Sequence, residues 1–346
     1  MEKEPNASDR EEKRCRLRNV WESLKDICAI CVADKLVLKE KTDDEQSLIS
    51  IKIESPKKKW RKENFEGKKF GQYGIYGISG FGGMSCVYNA GRADGMALAC
   101  KIVDGSSVAM LRKESDILRR LQHKNIISFR HYIEYHNCGL LFMEQAEMRD
   151  ILDFVNSHWP LDRNIRRRWS KELIFAVKYL HSTGIVHRDI KCENILLSRE
   201  LHIKLADFGS AHQASDRFKV CACNIEYLPP EVIRKQIPVG YDLRMIDVWS
   251  VGVVLFILLT RRMPFGPMVG SELDAIKWKY ANTCEPEFTE YEKKLAEPLY
   301  IEIVKKLLRF DFVSRASFQD ILASRYYSRS MDLGDRKGYH CKHASV

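Results

Sequence analysis

The sequence predicts an α+β fold in two lobes: a small β-rich N-terminal lobe carrying one helix, and a larger, mostly helical C-terminal lobe. Three observations carry this. The chain has 346 residues, which is long for one domain and suits two lobes or two domains. Residues 71–103 alternate short apolar runs with glycine-containing turns, the pattern of three antiparallel strands. Further on, apolar residues recur at helical spacing, most clearly over Asn164–Ser182.

Composition narrows the classes. Hydrophobic residues make up 45% of the chain, ordinary for a globular protein. The net charge of +10 favours acidic partners without identifying one. Residues 1–70 hold 18 basic and 15 acidic side chains, so the surplus is spread along the chain, which argues against a dedicated nucleic-acid arm. The first residues lack an apolar h-region, so no secretory signal is expected. The eleven cysteines are then expected to be reduced thiols in the cytoplasm. Cys28 and Cys31 have redox or half-zinc-site spacing, but no second pair follows at finger spacing, and the bland reading outweighs a site about nine to one.

Taken in order, residues 1–70 read as a partly disordered extension. Val20–Val37 suits a short amphipathic helix and Ser47–Ile53 a strand. The basic run Pro56–Lys62 is a solvated linker or a nuclear-import or phosphate-binding patch, weighted about two to one toward the linker. Gly71–Ser79 then leads into Gly80-Phe81-Gly82-Gly83-Met84-Ser85-Cys86-Val87, and the turn Gly91–Gly95 into a third strand, Met96–Val103. On that strand Ala99 and Lys101 share a face. Val108–Leu121 is a helix that puts Glu114, Ile117, Leu118 and Leu121 on one face. Asp116 points about 160° away. The short connection from Lys101 is expected to cost this helix its first turn. Ile126–Phe142 holds two more strands, and Met143 runs into the polar connector Glu144-Gln145-Ala146. Asp150 opens the next helix, and Thr183-Gly184 ends the long helix Asn164–Ser182. Ile195–Leu197 and His202–Leu205 are short strands. The apolar run Val248–Thr260 is too short for a membrane span and reads as a buried helix. The folded region ends near Tyr327, and Ser328–Val346 is a polar, basic tail with no clear period.

The chemistry gathers in His187-Arg188-Asp189-Ile190-Lys191-Cys192-Glu193-Asn194, followed thirteen residues later by Asp207-Phe208-Gly209. Phosphoryl transfer is mostly positioning and charge neutralisation. It needs a carboxylate beside the attacking hydroxyl, a cation on the moving phosphate and oxygen ligands for magnesium. Asp189, Lys191, Asn194 and Asp207 are the right types in the right order. Around them stand the glycine-rich turn, Lys101 in Ala97-Leu98-Ala99-Cys100-Lys101, Pro229-Pro230-Glu231, Asp247-Val248-Trp249-Ser250-Val251-Gly252 and Arg315. With this ordered set the chain resembles the eukaryotic protein-kinase family over residues 71–327. Val186–Leu197 and Leu307–Leu322 look like the testis-specific serine/threonine kinase group of the calcium/calmodulin-dependent branch, Cys192 in place of the usual proline being the most suggestive residue.

The resemblance implies an N-lobe over 71–143, a hinge over 144–146 and a C-lobe over 147–327. It implies ATP and Mg²⁺ as cofactors and protein Ser/Thr hydroxyls as acceptors, with no nucleic acid and a monomeric chain. Asp189 would take the substrate proton and Lys191 neutralise the γ-phosphate; Asn194 and Asp207 would hold magnesium. Lys101, held by Glu114, would anchor the α- and β-phosphates. Ile78, Gly80, Gly82, Gly83, Ser85 and Val87 would form the covering loop. Ala99, Met143 and Leu196 would line the adenine pocket, with the backbone of Glu144 and Ala146 at the base edge. Asp150 and Glu193 would flank the ribose and peptide groove and favour an upstream arginine. Asp247 would bind the catalytic-loop backbone, and Arg315 would pair with Glu231.

Four positions depart from the family pattern. Ser85 replaces a glycine and Pro229 an alanine. Asn224 stands where a threonine normally contacts the catalytic aspartate and lysine, and Val220 where an activating phosphothreonine normally sits. Asn224, Val220 and Ser85 feed a rival reading, a kinase-like scaffold that binds nucleotide and transfers little phosphate. The full set of charged groups favours the enzyme about six to one.

Overall fold

The computed structural model describes residues 65–81, 85–216, 225–233, 237–265 and 285–328. Cys28, Cys31, Pro56–Lys62, Gly82, Gly83, Val220, Asn224 and the tail beyond Ser328 lie outside the described residues. The chain divides into two compact units, one holding Phe65 to Arg112 with His131–Met143, the other holding Lys113–Arg130, Glu144–Ser215 and the described residues from Ile225 on.

The first unit is built on a sheet of six strands: β1 (Lys69–Phe70), β2 (Tyr73–Phe81), β3 (Cys86–Arg92), β4 (Ala97–Asp104), β5 (Phe129–Tyr135) and β6 (Cys138–Glu144), in the order β1-β2-β3-β4-β6-β5. Alternation from Ala97 to Ile102 on β4 sends Leu98, Cys100 and Ile102 into a core with Ile75, Tyr88 and Phe142. Ala99 and Lys101 fall on the other face, half-buried. Phe65 joins this core and β1 pairs with β2, so the folded unit starts earlier than the expected boundary at residue 71. The turn after β3 closes because Gly95 takes a φ of 87° and donates its amide to the Arg92 carbonyl at 2.9 Å.

The helix α1 (Val108–Arg119) follows a single 3-10 turn at Gly105–Ser107, which takes the place of the missing helical turn. It stops two residues before the expected Leu121. The amides of Arg120 and Leu121 reach back three residues, to Ile117 and Leu118, rather than four.

In the second unit, β7 (Met148–Asp150) precedes α2 (Ile151–Ser157) and α3 (Arg163–Ser182). Asp162 caps α3 through the amides of Asn164 and Ile165 at 2.8 and 3.1 Å. The apolar stripe Trp169, Leu173, Ala176, Val177 and Leu180 is buried, and Gly184 at φ 78° ends the helix. Short strands β8 (Ile185–Val186), β9 (Ile195–Leu197), β10 (Ile203–Leu205) and β11 (His212–Gln213) flank the loop and segment that follow. β9 lies between β10 and β7, and β8 pairs with β11. After α4 (Pro230–Ile233) comes α5 (Arg244–Thr260), buried without interruption from Ile246 to Thr260. A helix apolar on all sides must sit inside the protein. It packs on α7 (Pro298–Leu307), which follows α6 (Glu290–Leu295); the short α8 (Phe318–Leu322) and α9 (Arg325–Ser328) close the unit. At Gly252 a Cβ would come within 2.9 Å of Leu307 and 2.8 Å of Leu308, so α5 and α7 approach this closely only over glycine. Among the described residues no helix is long and apolar enough to cross a membrane.

Candidate active site

The loop His187–Asn194 is fixed from below by one carboxylate. Asp247, fully buried near the start of α5, accepts the amides of His187 at 2.9 Å and Arg188 at 2.8 Å, and the His181 ring nitrogen stands 2.8 Å from it. Arg188 adopts φ 67°, a left-handed conformation that is costly for a side chain of this size and is held by these contacts. Burial alone would raise the Asp247 carboxyl; the hydrogen bond and charge of His181, with the His187 contacts, outweigh it and hold its pKa below the usual aspartate value. The sign follows. A depressed native pKa contributes stability above the unfolded value of about 3.9 and loses it as pH falls through the native value. Acid denaturation is therefore expected to begin below about pH 4, and Asp247→Asn to flatten that limb while lowering the neutral-pH melting temperature. Thermal melts between pH 3 and 7 check this; an unchanged slope in the variant would contradict it.

Within the loop, three polar side chains meet. The Asn194 amide nitrogen donates to the Asp189 carbonyl at 2.8 Å and to Asp189 Oδ2 at 2.9 Å. Lys191 Nζ stands 3.2 Å from the same Oδ2. Cys192 is buried in the turn, and burial pushes its thiol up, so it is a packing group and not a nucleophile. Its amide approaches the buried Tyr227 hydroxyl at 3.5 Å, and that hydroxyl lies 3.4 Å from Glu193 Oε2.

Beyond β10 the chain turns sharply. Asp207 takes φ 59°, and its carboxylate caps the 3-10 turn Phe208–Ser210 through the Gly209 amide at 3.4 Å. The Phe208 amide donates to Glu114 Oε1 at 3.2 Å, so Glu114, buried on α1, is tied to this turn. Phe208 also packs edge-on against the His187 ring, 4.7 Å between centroids. The Ala206 amide bonds the Asn194 carbonyl at 2.9 Å, which holds the Asp207 turn against the loop.

At the connector, Glu144 is the last residue of β6 rather than the first of a loop, because its amide donates to the Ser128 carbonyl at 2.9 Å. The expected base-edge role of its backbone thus narrows to the carbonyl. Ala146 follows, half-buried, and Met143 is buried in β6. Asp150 caps α2, its Oδ1 accepting the amides of Leu152 and Asp153 at 2.9 and 3.0 Å. Leu196 on β9 pairs with Asp150 on one side and Lys204 on the other.

The remaining candidates lie in the first unit. Ile78 pairs with Tyr88, Gly80 with Val87, and Val87 in turn with Lys101. Ser85 precedes β3, and Cys86 Sγ approaches the Gly80 carbonyl at 3.6 Å.

A family model for the protein kinase domain matches residues 73–327. The chain belongs to the protein kinase family. Similar proteins include the serine/threonine-protein kinase cds1 of Schizosaccharomyces pombe, 29% identical over 63% of this chain and 48% of that protein. The carbon catabolite-derepressing protein kinase of Candida glabrata is 29% identical over 74% of this chain and 40% of that protein. The chain thus matches less than half the length of these relatives.

In this protein kinase, two expected structural pairings form as anticipated: Asp247 with the loop backbone, and Glu231 with Arg315 at 2.6 and 2.7 Å. Two contributors carry little signal in the sequence. His181 supports Asp247 from the last turn of α3, and its only signal was its place six residues before His187. Tyr227 reaches the loop from across the segment, which no local spacing announces.

Proposed function

We propose that the chain is a serine/threonine protein kinase that transfers the γ-phosphate of ATP to a protein hydroxyl with Mg²⁺. The observation that carries this is the meeting of Asn194 and Lys191 on one oxygen of Asp189, in a loop clamped by Asp247. With Oδ2 so held, Oδ1 takes the proton of the substrate hydroxyl as the oxygen attacks phosphorus. Lys191, with three donors, serves Asp189 and the transferred phosphoryl together. Lys101 keeps its expected role as the anchor of the inner phosphates.

The donor set suits magnesium. The Asn194 amide nitrogen is spent on Asp189, which leaves its amide oxygen as a hard donor, and Asp207 supplies a carboxylate. Magnesium sites of this kind use one or two protein oxygens, with water and substrate phosphates completing the shell. The ion's contribution is to neutralise charge on the phosphate oxygens.

Glu193 and Asp150 give the peptide side negative charge, which supports selection of a basic residue upstream of the acceptor. Cys192 and the flanking loop residues support placement near the testis-specific kinase group. The proposed setting is the cytoplasm, and the chain acts as a monomer. A peptide array phosphorylated by the full chain tests the specificity. Label is expected on serine and threonine, falling when upstream arginines are replaced. Label on tyrosine, or indifference to those arginines, would overturn it.

A further inference from the structure

The Glu144 side chain, half-buried at the end of β6, is held by several contacts at once. Its carboxylate accepts the Ser128 amide at 3.1 Å and the Ser128 hydroxyl at 2.9 Å, and forms an ion pair with Lys204 on β10. With its own amide on the Ser128 carbonyl, four contacts fix this one residue. The segment carrying Ser128 is itself laced to β10. Ile127 donates to Leu205, Leu205 donates to Asn125, each at 2.9 Å, and the Asn125 side chain donates to Ile203 at 3.0 Å. Lys204 stands three residues before Asp207.

A partly exposed ion pair of this kind contributes little to stability. What it does well is fix geometry, because moving either partner leaves a half-buried charge unpaired. We propose that the Glu144–Lys204 pair, with Ser128, positions the connector backbone and so sets discrimination between purine bases. The inference rests on the reading that the Glu144 carbonyl and the Ala146 amide meet the adenine edge. Lys204 and Ser128 are positioning residues: they touch Glu144, not the nucleotide. A base edge is discriminated by donors and acceptors that cannot shift to suit the wrong partner. Freed of Lys204, the connector adapts to a base that presents a carbonyl where adenine has its amino group.

The test measures displacement of a fluorescent ADP analogue from the full chain by ATP and by inosine triphosphate, so no phosphate transfer is needed. The wild type is expected to prefer ATP. Lys204→Met should narrow the ATP-to-inosine-triphosphate affinity ratio about five- to tenfold, mainly by weakening ATP. Lys204→Arg should restore the ratio, and Ser128→Ala should narrow it less. Should Lys204→Met fail to fold, Ser128→Ala decides. An unchanged ratio, or equal loss of both affinities in step with a lower melting temperature, would overturn the proposal. A wild type that binds nucleotide but transfers no phosphate defeats the kinase reading and leaves this test intact. A wild type that binds neither nucleotide defeats both.

Discussion

Asp207→Asn is expected to lower turnover about 10²–10³-fold, with the melting temperature little changed. Asp207 sits at φ 59° and caps the following 3-10 turn. Alanine there would add left-handed strain and remove the cap, so a loss of activity in Asp207→Ala would mix folding with chemistry. Asparagine tolerates this conformation, keeps an oxygen for the Gly209 amide and removes only the charge. What is lost is the anionic ligand that would hold magnesium against the phosphate oxygens, a contribution made in the transition state. A magnesium titration of turnover should show a weakened metal dependence in the variant. Wild-type turnover at the same magnesium concentration would contradict the role.

The largest effect on stability is expected at Arg315. Its side chain is fully buried and forms a bidentate pair with Glu231, and its Nε donates to the Arg309 carbonyl at 2.7 Å. The guanidinium also lies over the Trp249 ring, 4.9 Å from its centre. Glu231 is 6% exposed and also accepts the Tyr241 hydroxyl at 2.6 Å. Arg315→Ala strands this carboxylate in the interior and should cost about 3–5 kcal/mol. On a unit of this size that is a fall of roughly 10 °C in melting temperature. Adding Glu231→Gln removes the stranded charge and should recover part of the loss. A single variant that melts within a degree or two of wild type would show the pair to be dispensable.

Much of this was legible in the sequence because the chemistry is local. Asp189, Lys191 and Asn194 lie within one short loop, and the resemblance to the kinase catalytic loop implies their meeting. The strand alternation at Ala99 and Lys101 and the unbroken apolar run of α5 are likewise properties of short segments. What was hidden depends on residues far apart in the chain. The Glu144 carboxylate finds Lys204 sixty positions on, and His181 finds Asp247 sixty-six positions on. Asp150 shows a third cause. A single aspartate can face a ligand or cap a helix, and only the backbone ahead of it reveals that Oδ1 serves the cap. Helix ends blur for a similar reason, since α1 closes in a tighter turn that the side-chain pattern does not encode.

The central claim is that Asp189, held by Asn194 and Lys191, activates a hydroxyl for attack on ATP. Transfer of radiolabelled γ-phosphate to a generic basic protein, by the full chain and by Asp189→Asn under identical conditions, tests it most directly. The account predicts sustained labelling by the native chain and a loss of about 10²-fold or more in a variant that still binds nucleotide and melts normally. Equal labelling by both, or none by either, would contradict it.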